Sequence, residues 1–126
     1  MAIDFSTYDD DNVFAKILRG DLPNKTVYED DHVLAFHDIA PQAPVHILVV
    51  PKGRYIAQDD FHADASDEEI VAFWRAVAKI SRDLGLTDEG HRLIANQGAA
   101  SGQLVPHFHV HIMAGRRLGP LLVQPE

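Results

Sequence analysis

PHFHVHIMAG (106–115) sets His107, His109 and His111 at every second position and fills the gaps with Phe108 and Val110, followed by Ile112. A period of two belongs to an extended strand, in which successive side chains point to opposite faces. The apolar set then anchors the strand to a core, and the three imidazoles share the other surface, His107 and His111 each about 7 Å along the chain from His109. Polar rings on a strand of this kind cost free energy unless each finds a partner. The alternation therefore points to a site.

Four other extended runs frame this one. KTVYED (25–30), HVLAFHD (32–38) and VHILVV (45–50) precede it, with a tight turn at Asp30 and Asp31 and a longer loop marked by Pro41 and Pro44. VHILVV is apolar at nearly every position, which predicts a central strand covered on both faces. HRLIAN (91–96) is the remaining run, joined to the histidine strand by the small-residue loop QGAASGQ. Two helices complete the pattern. A short one is expected from Asp11 as cap, with Val13, Phe14, Ile17 and Leu18 at helical spacing and Gly20 as the stop. A long one follows the capping box Ser66/Glu69, with Ile70, Phe73, Trp74, Val77, Ile80 and Leu84 on one face until Gly85.

Composition narrows the function classes. The chain has 126 residues, of which 46% are hydrophobic, so one domain with a real core is expected: a flexible polar arm over 1–10 and a single domain over 11–126. With 11 basic and 19 acidic side chains the net charge is −8, which argues against tracking long nucleic acid but leaves a small phosphate ligand open. The absence of cysteine excludes disulfides and thiolate metal sites. Neither a basic start followed by an apolar run nor a stretch of about 20 apolar residues occurs, so no membrane association and a cytoplasmic location are expected.

Imidazole, with an ordinary pKa of about 6.5, can serve as a neutral nucleophile beside a protonated neighbour at neutral pH. That pairing suits phosphoryl or nucleotidyl transfer: one ring attacks phosphorus, and a second stabilises the phosphate oxygens or protonates the leaving group. Gly98, Ala99, Ala100, Ser101 and Gly102 carry little bulk and let backbone N–H groups approach an anion, and Gln103 offers a side-chain amide. A rival reading is a zinc site, since alternate histidines on a strand can supply two or three ligands. Against it stands the lack of a carboxylate or cysteine nearby in sequence. His32, His62 and His91 read as turn or surface residues, and His37, before Asp38, is open to either reading.

HFHVHIM resembles the alternating-histidine signature of the histidine triad superfamily of nucleotide hydrolases and transferases. The likeness extends to DNVFAKILRGDLPNKTVYEDDHVLAFHDIAPQAPVHILVVPK (11–52), to DLGL (83–86) and to LIANQGAASGQLVPHFHVHIMAGR (93–116), which are similar to the Hint branch. The resemblance implies an α+β fold, a five-stranded antiparallel sheet with one long and one short helix, whose sheets join across a homodimer. It also implies hydrolysis of purine nucleoside 5′-monophosphates, such as AMP conjugates, bonded to an amine or acyl leaving group, without metal or other cofactor. Carried over residue by residue, it makes His109 the nucleophile, sets His107 and His111 around the phosphate and gives His46 a supporting role. Asp38, with Ile39 beside it, falls where the ribose hydroxyls are held. Val13, Phe14, Ile17 and Phe36 fall in the base pocket, and Asn96, Gly102 and Gln103 near phosphate or sugar. Leu104 stands where the Hint pattern carries serine, so a hydroxyl expected beside the scissile bond is missing. That departure raises the alternative of a nucleotide-binding regulatory protein with weak or no catalysis, while the divergent tail RRLGPLLVQPE bears on the leaving-group preference; a zinc-binding structural protein is the third reading.

Overall fold

Strand β3 (Val45–Pro51) is the pivot of the molecule, because it is apolar on both faces and every residue from His46 onward is buried. The computed structural model describes residues 2–123, so the end of the tail at 124–126 lies outside it. β1 (Thr26–Glu29), β2 (Val33–His37), β3, β4 (Arg92–Ile94) and β5 (Val110–Ala114) form one antiparallel sheet in the order β1-β2-β3-β5-β4. Asp30 makes the β1–β2 turn: its carboxylate accepts the N–H groups of His32 and Val33 at 2.8 and 2.9 Å. Among the described residues no helix is long and apolar enough to cross a membrane.

Register decides what shares a face. Val33 and Ala35, Ile47 and Val49, and Val110 and Ile112 form one face, sealed by Phe61 of α2 (Gln58–Asp64) and by Phe73, Val77 and Ile80 of α3 (Asp67–Asp83). Leu34 and Phe36, Leu48 and Val50 form the opposite face under Phe14 of α1 (Val13–Leu18). His46 is diagonal to His111 on that second face, since His46 pairs with Met113 and Leu48 with His111.

The long helix begins at Ser66, whose hydroxyl accepts the Glu69 N–H at 3.1 Å while the Glu69 carboxylate reaches back to the Ser66 N–H, as the capping box requires. Three local expectations are corrected. The cap of α1 is Asn12, not Asp11: the Asn12 side chain accepts the Ala15 N–H at 2.9 Å. The ladder of the histidine strand starts at Val110, so His107 and His109 lie just ahead of it, although the alternation of faces continues through them. And α2, the four-residue helix α4 (Leu86–Glu89) and a 3₁₀ turn at Ala99–Ser101 add to the two helices expected.

The turn after β5 is set by Gly115, with φ +100°; a Cβ there would stand 2.7 Å from the Cβ of Pro44. Packing at this point is backbone against ring, and it abuts the residue that starts β3.

Candidate active site

His109 is held by its own strand. Its Nδ1 lies 2.7 Å from the His107 carbonyl oxygen, and a carbonyl can only accept, so Nδ1 carries the proton and Nε2 keeps a bare lone pair. The edge of Phe14 packs against the ring at 4.9 Å between centroids, and the residue is 6% exposed. Burial lowers its pKa below the ordinary imidazole value, partly offset by the His107 carbonyl and by Asp38. A neutral ring with one exposed lone-pair position is what a nucleophile requires.

His46 and His111 form a second unit. The Gln42 N–H donates to His46 Nδ1 at 3.1 Å, so the proton of His46 is on Nε2. That N–H points to His111 Nδ1 at 2.8 Å, and the Asp38 Oδ2 lies 3.4 Å from His46 Nε2. His111 is thereby left with Nε2–H as its remaining donor, on a ring 5.0 Å from that of His109. The pKa of His111 is pushed down to about 4 by burial, reinforced by His109 and His46 and opposed by Asp38. Desolvation drives all three motif histidines towards the neutral form, which works against the pairing of a neutral with a protonated ring expected from sequence.

A cavity of about 300 Å³ opens over these rings, lined by His109, His111, Asp38, Asn96, Gly102 and Leu104, among others. Beside it runs an apolar groove of about 380 Å³ walled by Val13, Phe14, Ile17, Phe36 and Ile39, with Asp38 and Phe14 common to both. The cavity over the imidazoles, of mixed polar and apolar lining, thus adjoins a strongly apolar slot. Asp38 stands at their junction, its Oδ1 accepting the Ala40 N–H at 2.8 Å as a turn former would. Leu104 is 82% exposed at the mouth.

Two expected contacts fall elsewhere. His107 is fully buried, its Nε2–H donated to the Pro51 carbonyl at 2.9 Å and its Nδ1 accepting the Tyr8 hydroxyl at 2.6 Å. It does not line the cavity, and burial pushes its pKa down to about 4. Gln103 is equally committed: its amide nitrogen donates to the Ile56 and Val105 carbonyls at 2.7 and 3.0 Å, and its oxygen accepts the Gly98 N–H at 2.9 Å. The side chain braces the loop instead of facing a ligand. Leu48 and Val105, shared by groove and cavity, and Gln42 were not anticipated. Leu48 was findable, because it follows His46 at strand period.

Asp38, His46 and His111 also satisfy the donor count for a metal, their ligand atoms lying within 4.8 Å of one another. Asp38 supplies the carboxylate that local sequence lacked. The fit is imperfect: two nitrogens on a tetrahedral zinc stand about 3.3 Å apart at the usual bond lengths, whereas His46 Nε2 and His111 Nδ1 are 2.8 Å apart with a proton between them.

A family model described as "HIT domain" matches residues 19–118. An uncharacterized 13.2 kDa HIT-like protein of Azospirillum brasilense is 53% identical, covering 94% of this chain and 97% of its own. A purine nucleoside phosphoramidase of Escherichia coli is 40% identical, with 90% and 94% covered. Among solved structures, a HIT family hydrolase from Clostridium thermocellum superposes with a TM-score of 0.80 at 38% identity, over 91% of this chain and 99% of that one.

Proposed function

The chain belongs to the HIT domain family, and from that premise we propose that it is a nucleotidyl hydrolase cleaving purine nucleoside 5′-monophosphates from an amine or acyl leaving group. The observation that carries the reading is the bare Nε2 of a neutral His109 on the wall of a cavity that adjoins an apolar slot. The similarity to the Escherichia coli phosphoramidase supports the choice of substrate.

In this mechanism the base lies in the groove under Phe14, Ile17 and Phe36, and Asp38 takes the ribose hydroxyls. His109 Nε2 attacks phosphorus; the P–N bond to the ring forms as the bond to the leaving amine breaks, and the amine departs with a proton taken from solvent, which the hydrolytic step returns. His111 Nε2–H, oriented by His46, donates to a non-bridging phosphate oxygen where charge builds up. Asn96 and the backbone near Gly102 border the same oxygens. Water then attacks the nucleotidyl-histidine, releasing AMP and returning the ring to its neutral state. No step needs a metal. Two successive displacements retain configuration at phosphorus.

The test is turnover of an adenosine phosphoramidate by His109→Ala. Loss of activity with AMP binding intact is expected; an unchanged rate, or inversion at phosphorus, would remove the mechanism. A second reading, a nucleotide-binding protein with residual catalysis, is favoured by one observation: Leu104 brings an exposed methyl-bearing side chain, with no hydroxyl, to the cavity mouth. Tight AMP binding without cleavage of phosphoramidate, acyl adenylate or dinucleoside polyphosphate would select it. The zinc reading is separated by metal analysis and by whether a chelator alters stability.

A further inference from the structure

Residues 107–109 precede the first laddered residue of β5, so the nucleophile sits on backbone that the sheet does not hold. Three bonds hold it instead. The Phe108 N–H donates to the Tyr55 carbonyl at 2.7 Å, and the other two run through the His107 ring, to Pro51 and to Tyr8. Because the Pro51 carbonyl fixes the ring proton on Nε2, Nδ1 is an acceptor and the Tyr8 hydroxyl is its donor. The His107 ring is 0% exposed, so a lost donor there leaves a buried lone pair with no water to replace it.

Tyr8 belongs to the polar arm at 1–10, yet it is fastened from both sides. The Arg54 guanidinium lies 5.1 Å from the centre of its ring, and Arg54 is bidentate to Asp10 at 2.9 and 3.0 Å. The hydrogen-bond chain then reads, in order, Tyr8 O–H to His107 Nδ1, His107 Nε2–H to Pro51 O, and His109 Nδ1–H to His107 O.

We propose that Tyr8 is a positioning residue of the active site: by locking the His107 ring it fixes the His107 carbonyl, and so holds His109 in the single tautomer whose Nε2 is bare. The inference rests on the nucleotidyl transfer proposed above for its consequence in rate, but not for its consequence in ring tautomer. The arm is then a working part of the site.

Tyr8→Phe keeps the aromatic packing and removes one donor. Ring-nitrogen NMR of the full-length protein is expected to show His109 with one protonated and one bare nitrogen in the wild type, and averaged signals in the variant. In parallel, kcat for an adenosine phosphoramidate falls about tenfold, as a small misplacement of a reacting group produces, while AMP affinity is unchanged. A folded Tyr8→Phe with wild-type His109 ring signals overturns the proposal. Should that variant not fold, Arg54→Met, which removes the cation over Tyr8 and the clip to Asp10, carries the same readout: a joint shift of the His107 and His109 signals supports the role, and a shift of neither overturns it. Absence of turnover in the wild type sinks the proposed reaction alone, since the ring signals still report on Tyr8.

Discussion

The three motif histidines share a sheet face and differ in what their nitrogens touch, which is the level at which reactivity is decided. His109 has one nitrogen committed and one free, His111 is a donor supported by His46, and His107 has both nitrogens committed to protein. Since the pKa of His109 is lowered, its ring stays neutral below the ordinary imidazole range. The acid limb of kcat/KM is therefore expected below pH about 6.5, as a rate profile in non-coordinating buffers would show; a limb above that value contradicts it. Leu104→Ser restores a hydroxyl at the cavity mouth and is expected to raise phosphoramidate turnover with AMP affinity little changed, measured by steady-state kinetics and calorimetry. The shared face of the histidines was legible from alternation alone. The separate fate of His107 was not, because its partners Pro51 and Tyr8 are 56 and 99 residues away in sequence.

Elements were legible where a period or a cap was written locally. The capping box of α3 is such a case, and Ser66→Ala is expected to lower stability by about 1 kcal/mol, read as a lower urea midpoint with an unchanged slope. By contrast α2 contains one buried apolar residue, Phe61, in an otherwise polar run, so it shows no apolar repeat. It is held from outside, by Asp60 accepting the Ile56 and Ala57 N–H groups at 2.7 Å and by Phe61 stacking on Phe108 at 4.8 Å. The same logic explains the 97–103 loop: its small residues were visible, but of the three bonds that make Gln103 its brace, the one to the Ile56 carbonyl crosses 47 residues of sequence. Gln103→Leu removes those bonds and leaves the Gly98 N–H and the Ile56 carbonyl without their side-chain partner. It is expected to cost roughly 1–3 kcal/mol in denaturant unfolding and to raise KM for the nucleotide.

On the scale of the whole molecule, folding and protonation are linked through His107. Its folded pKa of about 4 lies below the unfolded value of 6.5, so between them the unfolded chain binds more protons and stability rises with pH. The contribution is complete above about pH 6.5 and is lost progressively as pH falls towards 4. Melting temperature recorded across that window checks it; a flat profile would contradict the assignment. The outer edges of β1 and β4 pair with no other strand among the described residues, and the homodimer that the histidine triad resemblance implies would extend the sheet at one of them. Light scattering is then expected to give twice the chain mass of 14.0 kDa. The strands were foreseeable from sequence and their single antiparallel sheet from the resemblance; the strand order and the loop contacts that join distant residues into one site were not. Gly115 is one of those contacts. With its missing Cβ 2.7 Å from the Cβ of Pro44, two positions before His46, even a methyl group there forces the proline or the turn aside at the start of β3. A position outside the cavity over the imidazoles thus demands glycine, because the junction of two neighbouring strands leaves no volume for a side chain.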